Sequence, residues 1–148
     1  MKPRYWDTSC VLPLYIPEPG SAELSELAGA QSESLVSSQI LGFEFLFAVH
    51  ARVARKEIPV SFASKVQRKF LSDLDAGRFL LIPLSEDMLE QVVQMTSSLT
   101  KRSPILELRI LDGIHLATAQ TLGSEEVVTN DKRLRKAAQA LGMRVLPV

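Results

Sequence analysis

The sequence predicts an α/β fold, a three-layer sandwich in which a mostly parallel central sheet is flanked by helices. Short apolar runs suited to strands alternate with longer segments of helical periodicity from one terminus to the other. Joining parallel strands requires crossovers, and right-handed helical crossovers are the usual solution. Gly77, Gly123 and Gly142 each stand where a helical segment must stop. At 148 residues the chain has the length of one domain, residues 1–148, with no repeat or low-complexity tract.

Tyr5-Trp6 is a short strand ending at Asp7, and Thr8 to Tyr15 is a turn opening a short helix that tolerates Pro13 in its first turns. Pro17-Glu18-Pro19-Gly20 breaks the chain, Ser21 is placed to cap, and Ala22 to Gln31 carries Leu24, Leu27 and Ala28 at helical spacing. Ser34 to Ser37 is a second strand. Gln39 to Lys56 is a strong helix with Ile40, Leu41, Phe45, Phe47, Ala48, Ala51 and Ala54 in phase, and Glu44 lies inside it. Ser61 to Ala76 repeats the pattern with Phe62, Val66, Phe70 and Leu74. Phe79 to Ile82 is the best buried-strand run in the chain.

A helix from Ser85 to Ser98 follows, then a polar loop to Pro104. Leu108 to Leu122 is helical, with Leu111, Ile114, Ala117 and Leu122 directed at the core and Asp112 and His115 on the same helix. Val127 to Thr129 is a strand, Asp131 caps a helix from Lys132 to Leu141, and Arg144 to Leu146 is the last strand.

Composition excludes several classes. Apolar residues make up 46% and charged residues 23%, and no apolar stretch is long enough to span a bilayer. The N-terminus reaches Asp7 before a secretory apolar run develops, which predicts no signal peptide and a cytoplasmic address. Cys10 is the only cysteine, so no internal disulfide forms, and it reads as a small core residue. Basic and acidic residues balance at 17 each, so any attraction to nucleic acid must come from local groups: Arg52, Arg55 and Lys56; Lys101 and Arg102; Lys132, Arg133, Arg135 and Lys136.

Four carboxylates carry the chemistry. Asp7 and Asp131 directly follow strands, and in open α/β sheets ligands bind beyond the carboxyl ends of the strands. Glu44 and Asp112 sit among apolar neighbours, where an unpaired charge costs several kcal/mol. Taken singly, Asp131 and Asp7 have ready explanations as helix caps. Taken together, four acids at one end of a domain repel one another and fit an oxygen-only site for Mg2+ or Mn2+. His115, one turn after Asp112, either bonds a carboxylate or packs between helices; His50 points to another face.

These residues resemble a known family. Asp7-Thr8-Ser9 with Leu12 and Tyr15, then Glu44, the run Arg109 to Ala119 containing Leu111-Asp112-Gly113-Ile114-His115, and Thr129-Asn130-Asp131 are similar to a PIN domain of the VapC type. The resemblance spans essentially the whole chain. It implies a small Mg2+- or Mn2+-dependent ribonuclease, the toxin of a toxin–antitoxin pair, with Asp7, Glu44, Asp112 and Asp131 as metal-holding catalytic residues. It further implies supporting roles for Thr8, Ser9 and Thr129, an RNA substrate, a homodimer and an antitoxin partner. Gly113 stands where alanine is commoner in that family, and Lys2-Pro3-Arg4 is a more polar start than usual.

Arg102 and Lys132 are candidates for phosphate contact, with single-stranded or looped RNA favoured because a paired backbone is harder to thread into a cleft. A non-catalytic PIN-like or receiver-like magnesium-binding domain is the alternative. A receiver would need adjacent acids after its first strand, where Thr8 follows Asp7. A dehalogenase-like phosphatase would need an aspartate where Ser9 stands.

Overall fold

Five short strands form one fully parallel sheet in the order β3-β2-β1-β4-β5: β1 (Tyr5–Trp6), β2 (Leu35–Ser38), β3 (Phe79–Ile82), β4 (Glu126–Val128) and β5 (Arg144–Leu146). The coordinates are a computed structural model describing residues 2–148. Helices α1 (Thr8–Val11), α2 (Ser21–Gly29), α3 (Ile40–Ala54) and α4 (Val60–Asp75) come from the first half of the chain. Helices α5 (Met88–Thr100), α6 (Ile110–Thr121) and α7 (Lys132–Ala140) come from the second. The predicted three-layer architecture is the one observed.

The two residues of β1 explain why so short a strand holds the centre. Successive strand side chains point to opposite faces. Trp6 therefore enters one core with Cys10, Leu24, Phe45 and Phe70 from α1 to α4, while Tyr5 enters the other with Met95, Leu116 and Leu134 from α5 to α7. Both side chains are fully buried. Their apolar surface anchors both helical layers to a single dipeptide, and the burial of Cys10 pushes its thiol up to about 12, leaving it an inert core group.

Three local expectations need correction. Phe79 to Ile82 is an edge strand rather than the most buried one, and Leu80 is 54% exposed, because only β2 pairs with it. Leu111 is 45% exposed, since the core-facing turns of α6 begin at His115. Ser21 is the first residue of α2 rather than its cap: Gly20, at φ 92°, takes the cap position, and Ser21 Oγ instead accepts from the Glu18 N–H at 2.9 Å. Among the described residues no helix is long and apolar enough to cross a membrane.

One buried carboxylate lies away from the strand ends. Asp73 on α4 accepts from the Tyr15 phenol and sits 3.0 Å from Lys69 Nζ, with Arg78 at 3.9 Å. Burial alone would raise its pKa, but the bonds from Tyr15 and Lys69 and the charges of Lys69 and Arg78 outweigh burial and hold it below the usual carboxylate range. With the folded value below the unfolded one, this stabilisation is complete above the ordinary pKa of about 4 and is lost as pH falls through that value and then the folded one. The melting temperature of Asp73→Asn is accordingly expected below that of the parent near neutrality, with the gap closing in acid. Thermal melts of the pair across pH measure it.

Candidate active site

The strand register delivers the first acid. Trp6 lies opposite Val128, and the Asp7 N–H still donates to the Val128 carbonyl at 2.9 Å, so Asp7 and Thr129 emerge side by side at the carboxyl edge of β1 and β4. Asp7 Oδ2 accepts from the hydroxyls of Ser9 at 2.7 Å and Thr129 at 2.8 Å. Those hydroxyls in turn accept the N–H groups of Asn130 and Asp131, both at 3.0 Å. A buried carboxylate is thereby compensated by neutral donors, and the loop carrying Asp131 is laced to it.

Glu44 arrives from α3, where Leu41, Phe45 and Val49 face the core and turn Glu44 to its edge. Thr8 Oγ1 donates to Glu44 Oε1 at 2.7 Å. His115, 1% exposed on α6, places Nε2 at 2.6 Å from the same Glu44 oxygen and 3.3 Å from Asp7 Oδ1. Its other ring nitrogen, Nδ1, is 2.6 Å from the Tyr5 phenol oxygen. Burial disfavours the charged imidazole, yet the Glu44 bond and the charges of Asp7, Glu44 and Asp112 hold its pKa above the ordinary value.

Asp112 occupies the first turn of α6, where the helix dipole favours an anion. Its Oδ2 is buried with no hydrogen-bond partner, and the nearest cation is Arg109 Nε at 4.0 Å. Burial, then the Asp131 charge and more weakly that of Asp7, raise its pKa against the pull of Arg109 and His115. Asp131 uses Oδ1 to cap α7, accepting from Arg133 N at 2.8 Å and Leu134 N at 3.1 Å. Only one of its oxygens is committed to the cap.

His115 links Asp7 and Glu44, Thr129 links Asp7 and the Asp131 backbone, and Asp112 feels the charges of Asp131 and Asp7. Among the described residues no three His, Cys, Asp or Glu side chains stand in ligating geometry as they are. The donor chemistry nevertheless fits a hard divalent cation: carboxylate oxygens, one of them buried and without a partner beside the charges of Asp131 and Asp7. Tyr5 escaped sequence reasoning, because the pairing of its hydroxyl with His115 depends on which face of β1 the helix α6 covers.

Basic residues divide by position. Lys132 begins α7 beside Asp131 and is exposed. Arg102 lies just past α5, and its Nη1 donates to the Ala140 carbonyl at 3.4 Å, at the opposite end of α7. Arg135 is spent on the carbonyls of Thr129 and Pro147, and Arg52 on Glu18 and Glu57. Lys132 is therefore with the acids, and Arg102 is a helix length of about 13 Å away.

Comparison with known proteins shows the family and the fold. The PIN domain family model matches residues 4–140. Ribonuclease VapC46 of Mycobacterium tuberculosis is 32% identical over 147 residues, covering 96% of this chain and 95% of that protein. Ribonuclease VapC35 of the same species is 41% identical over 77 residues, 49% of this chain and 55% of that protein. A chain in the crystal structure of VapBC2 from Rickettsia felis bound to a DNA fragment from their promoter shares the fold, with a TM-score of 0.63 at 17% identity over 96% of both chains.

Proposed function

The chain belongs to the PIN domain family, and on that premise we propose that it is a divalent-metal-dependent endoribonuclease acting as the toxin of a type II toxin–antitoxin pair. The observation carrying this reading is the buried Asp112 Oδ2, which has no hydrogen-bond partner and lies where the charges of Asp131 and Asp7 raise its pKa. The relatives' names as ribonucleases supply the substrate class, RNA, and the VapBC2 likeness is the precedent for an antitoxin partner.

Asp7 and Asp112 are assigned as the metal-holding groups, Glu44 as a ligand or the acceptor that orients water, and Asp131 as an outer or second-ion ligand through its uncommitted oxygen. Mg2+ or Mn2+, when bound, supplies Lewis-acid stabilisation of charge on the scissile phosphate and lowers the pKa of water. Ser9 and Thr129 hold Asp7 in place by donating to its Oδ2, and Thr8 does the same for Glu44 through Oε1. Lys132 at the rim meets a phosphate of the bound strand, while Arg102 would meet the strand further along.

The test is cleavage of single-stranded RNA by the purified chain. Activity is expected in Mg2+ or Mn2+, with none after chelation, and the products carry 5′-phosphate and 3′-hydroxyl ends because water rather than the ribose 2′-hydroxyl attacks. A 2′,3′-cyclic phosphate would contradict the reading.

Two exposed surfaces fit the proposed partners. Phe43 and Phe47, 64% and 73% exposed and one turn apart on α3, bracket Glu44 and offer an apolar footing for an antitoxin segment that covers the acidic cup. Leu89 and Val93 on α5 are likewise exposed one turn apart and suit a homodimer contact. Sedimentation at micromolar concentration should give a dimer; a monomer would count against that assignment.

A further inference from the structure

We infer that His115 and Tyr5 are positioning residues that fix the Glu44 and Asp7 carboxylates in the arrangement a divalent cation needs, with Tyr5 setting the ring and His115 Nε2 setting the acids. The inference rests on the metal-dependent reading above and deepens it. His115 Nε2 lies 2.6 Å from Glu44 Oε1, within hydrogen-bond distance of an oxygen that also accepts from Thr8. The same nitrogen is 3.3 Å from Asp7 Oδ1, so one buried ring spans acids delivered by two unrelated elements, the end of β1 and the second turn of α3.

The ring has little freedom of its own. It is 1% exposed, and the Tyr5 hydroxyl, able to donate or accept, fixes Nδ1 at 2.6 Å. The two rings meet edge to face, with centroids 5.7 Å apart. Tyr5 is itself immobilised at the centre of the sheet, paired with Val36 on one side and Val127 on the other. The position of the acids is thereby referred, through His115, to the central strand of the sheet. Hydrogen-bonded partners behind ligating groups commonly change metal affinity by about 10- to 100-fold when lost.

Glutamine and asparagine distinguish this role from packing. Glutamine at position 115 carries an amide N–H where Nε2 lies, whereas asparagine carries its polar atoms where Nδ1 lies and reaches Tyr5 but not Glu44. Mn2+ affinity, read by titration with electron paramagnetic resonance of the free ion and without RNA, is expected to fall about 10- to 100-fold in His115→Asn. His115→Gln should recover most of that loss, and Tyr5→Phe, which keeps the ring and loses only the hydroxyl, should weaken binding several-fold. Melting curves run alongside identify any variant that fails to fold, and Tyr5→Phe then carries the test.

Equal Mn2+ affinity in the asparagine and glutamine variants, or parental affinity in Tyr5→Phe, would overturn the positioning role while leaving the nuclease reading intact. Tighter binding in the variants would also overturn it, by making the imidazole a competitor of the ion. A parent chain that binds no Mn2+ would overturn the underlying reading and this inference with it.

Discussion

Asp7→Asn is expected to abolish RNA cleavage while the protein stays folded. The substitution keeps shape and leaves an oxygen to accept from Ser9 or Thr129, but it removes the charge that the site presents to a cation. Loss of a group that holds the metal removes several kcal/mol of transition-state stabilisation, a fall of about a thousandfold or more at 1.36 kcal/mol per factor of ten. Stability changes little, because the lost contact to His115 is offset by relief of repulsion from Asp112, within about 1 kcal/mol or a few degrees in melting temperature. Cleavage assays and melts on the same preparation measure both. A parental cleavage rate would remove Asp7 from the chemistry.

The largest stability effect is expected at the residue next to Glu44. Phe45 is fully buried, stacked on Phe70 with centroids 3.8 Å apart, and Tyr15 meets it edge-on at 5.2 Å. Phe45→Ala leaves a cavity between α3 and α4 and should cost about 3–5 kcal/mol, which lowers the melting temperature by roughly 6–20 °C in a chain of this length. Glu44 precedes it on the same helix, so a loosened α3 also loses its hold on that carboxylate, and cleavage should fall in the molecules that remain folded. Denaturant midpoints together with specific activity separate the two losses. An unchanged midpoint would show that the aromatic cluster does not anchor α3.

Much of this is legible in the residues, for identifiable reasons. Asp7 and Asp131 are readable as strand-end groups because the apolar runs before them are short and stop abruptly. The parallel order is readable because helices intervene between every pair of strands. The ranking of strands is not. Phe79 to Ile82 has the strongest apolar run yet forms an edge, while the Tyr5-Trp6 dipeptide is central, because centrality is set by which strands pair and not by local hydrophobicity.

Leu111 illustrates the same limit on a helix. Its spacing matches Ile114 and Ala117, but α6 meets the second core only from His115 onward, and the preceding turn instead turns Asp112 towards the other acids. The pairing of Tyr5 with His115 links residues 110 positions apart and has no local signature. Arg102 and Lys132 look alike in sequence as basic residues beside helix termini, yet they lie at opposite ends of α7.

On the proposed reading, four acids scattered along the chain hold one divalent site. Crystals grown with Mn2+ and measured at a wavelength where manganese scatters anomalously test it most directly. One or two anomalous peaks are expected at the carboxyl edge of β1 and β4, within about 2.0–2.3 Å of carboxylate oxygens of Asp7 and Asp112. Crystals with Mn2+ in the medium and no peak there, or peaks only at other carboxylates, would contradict it.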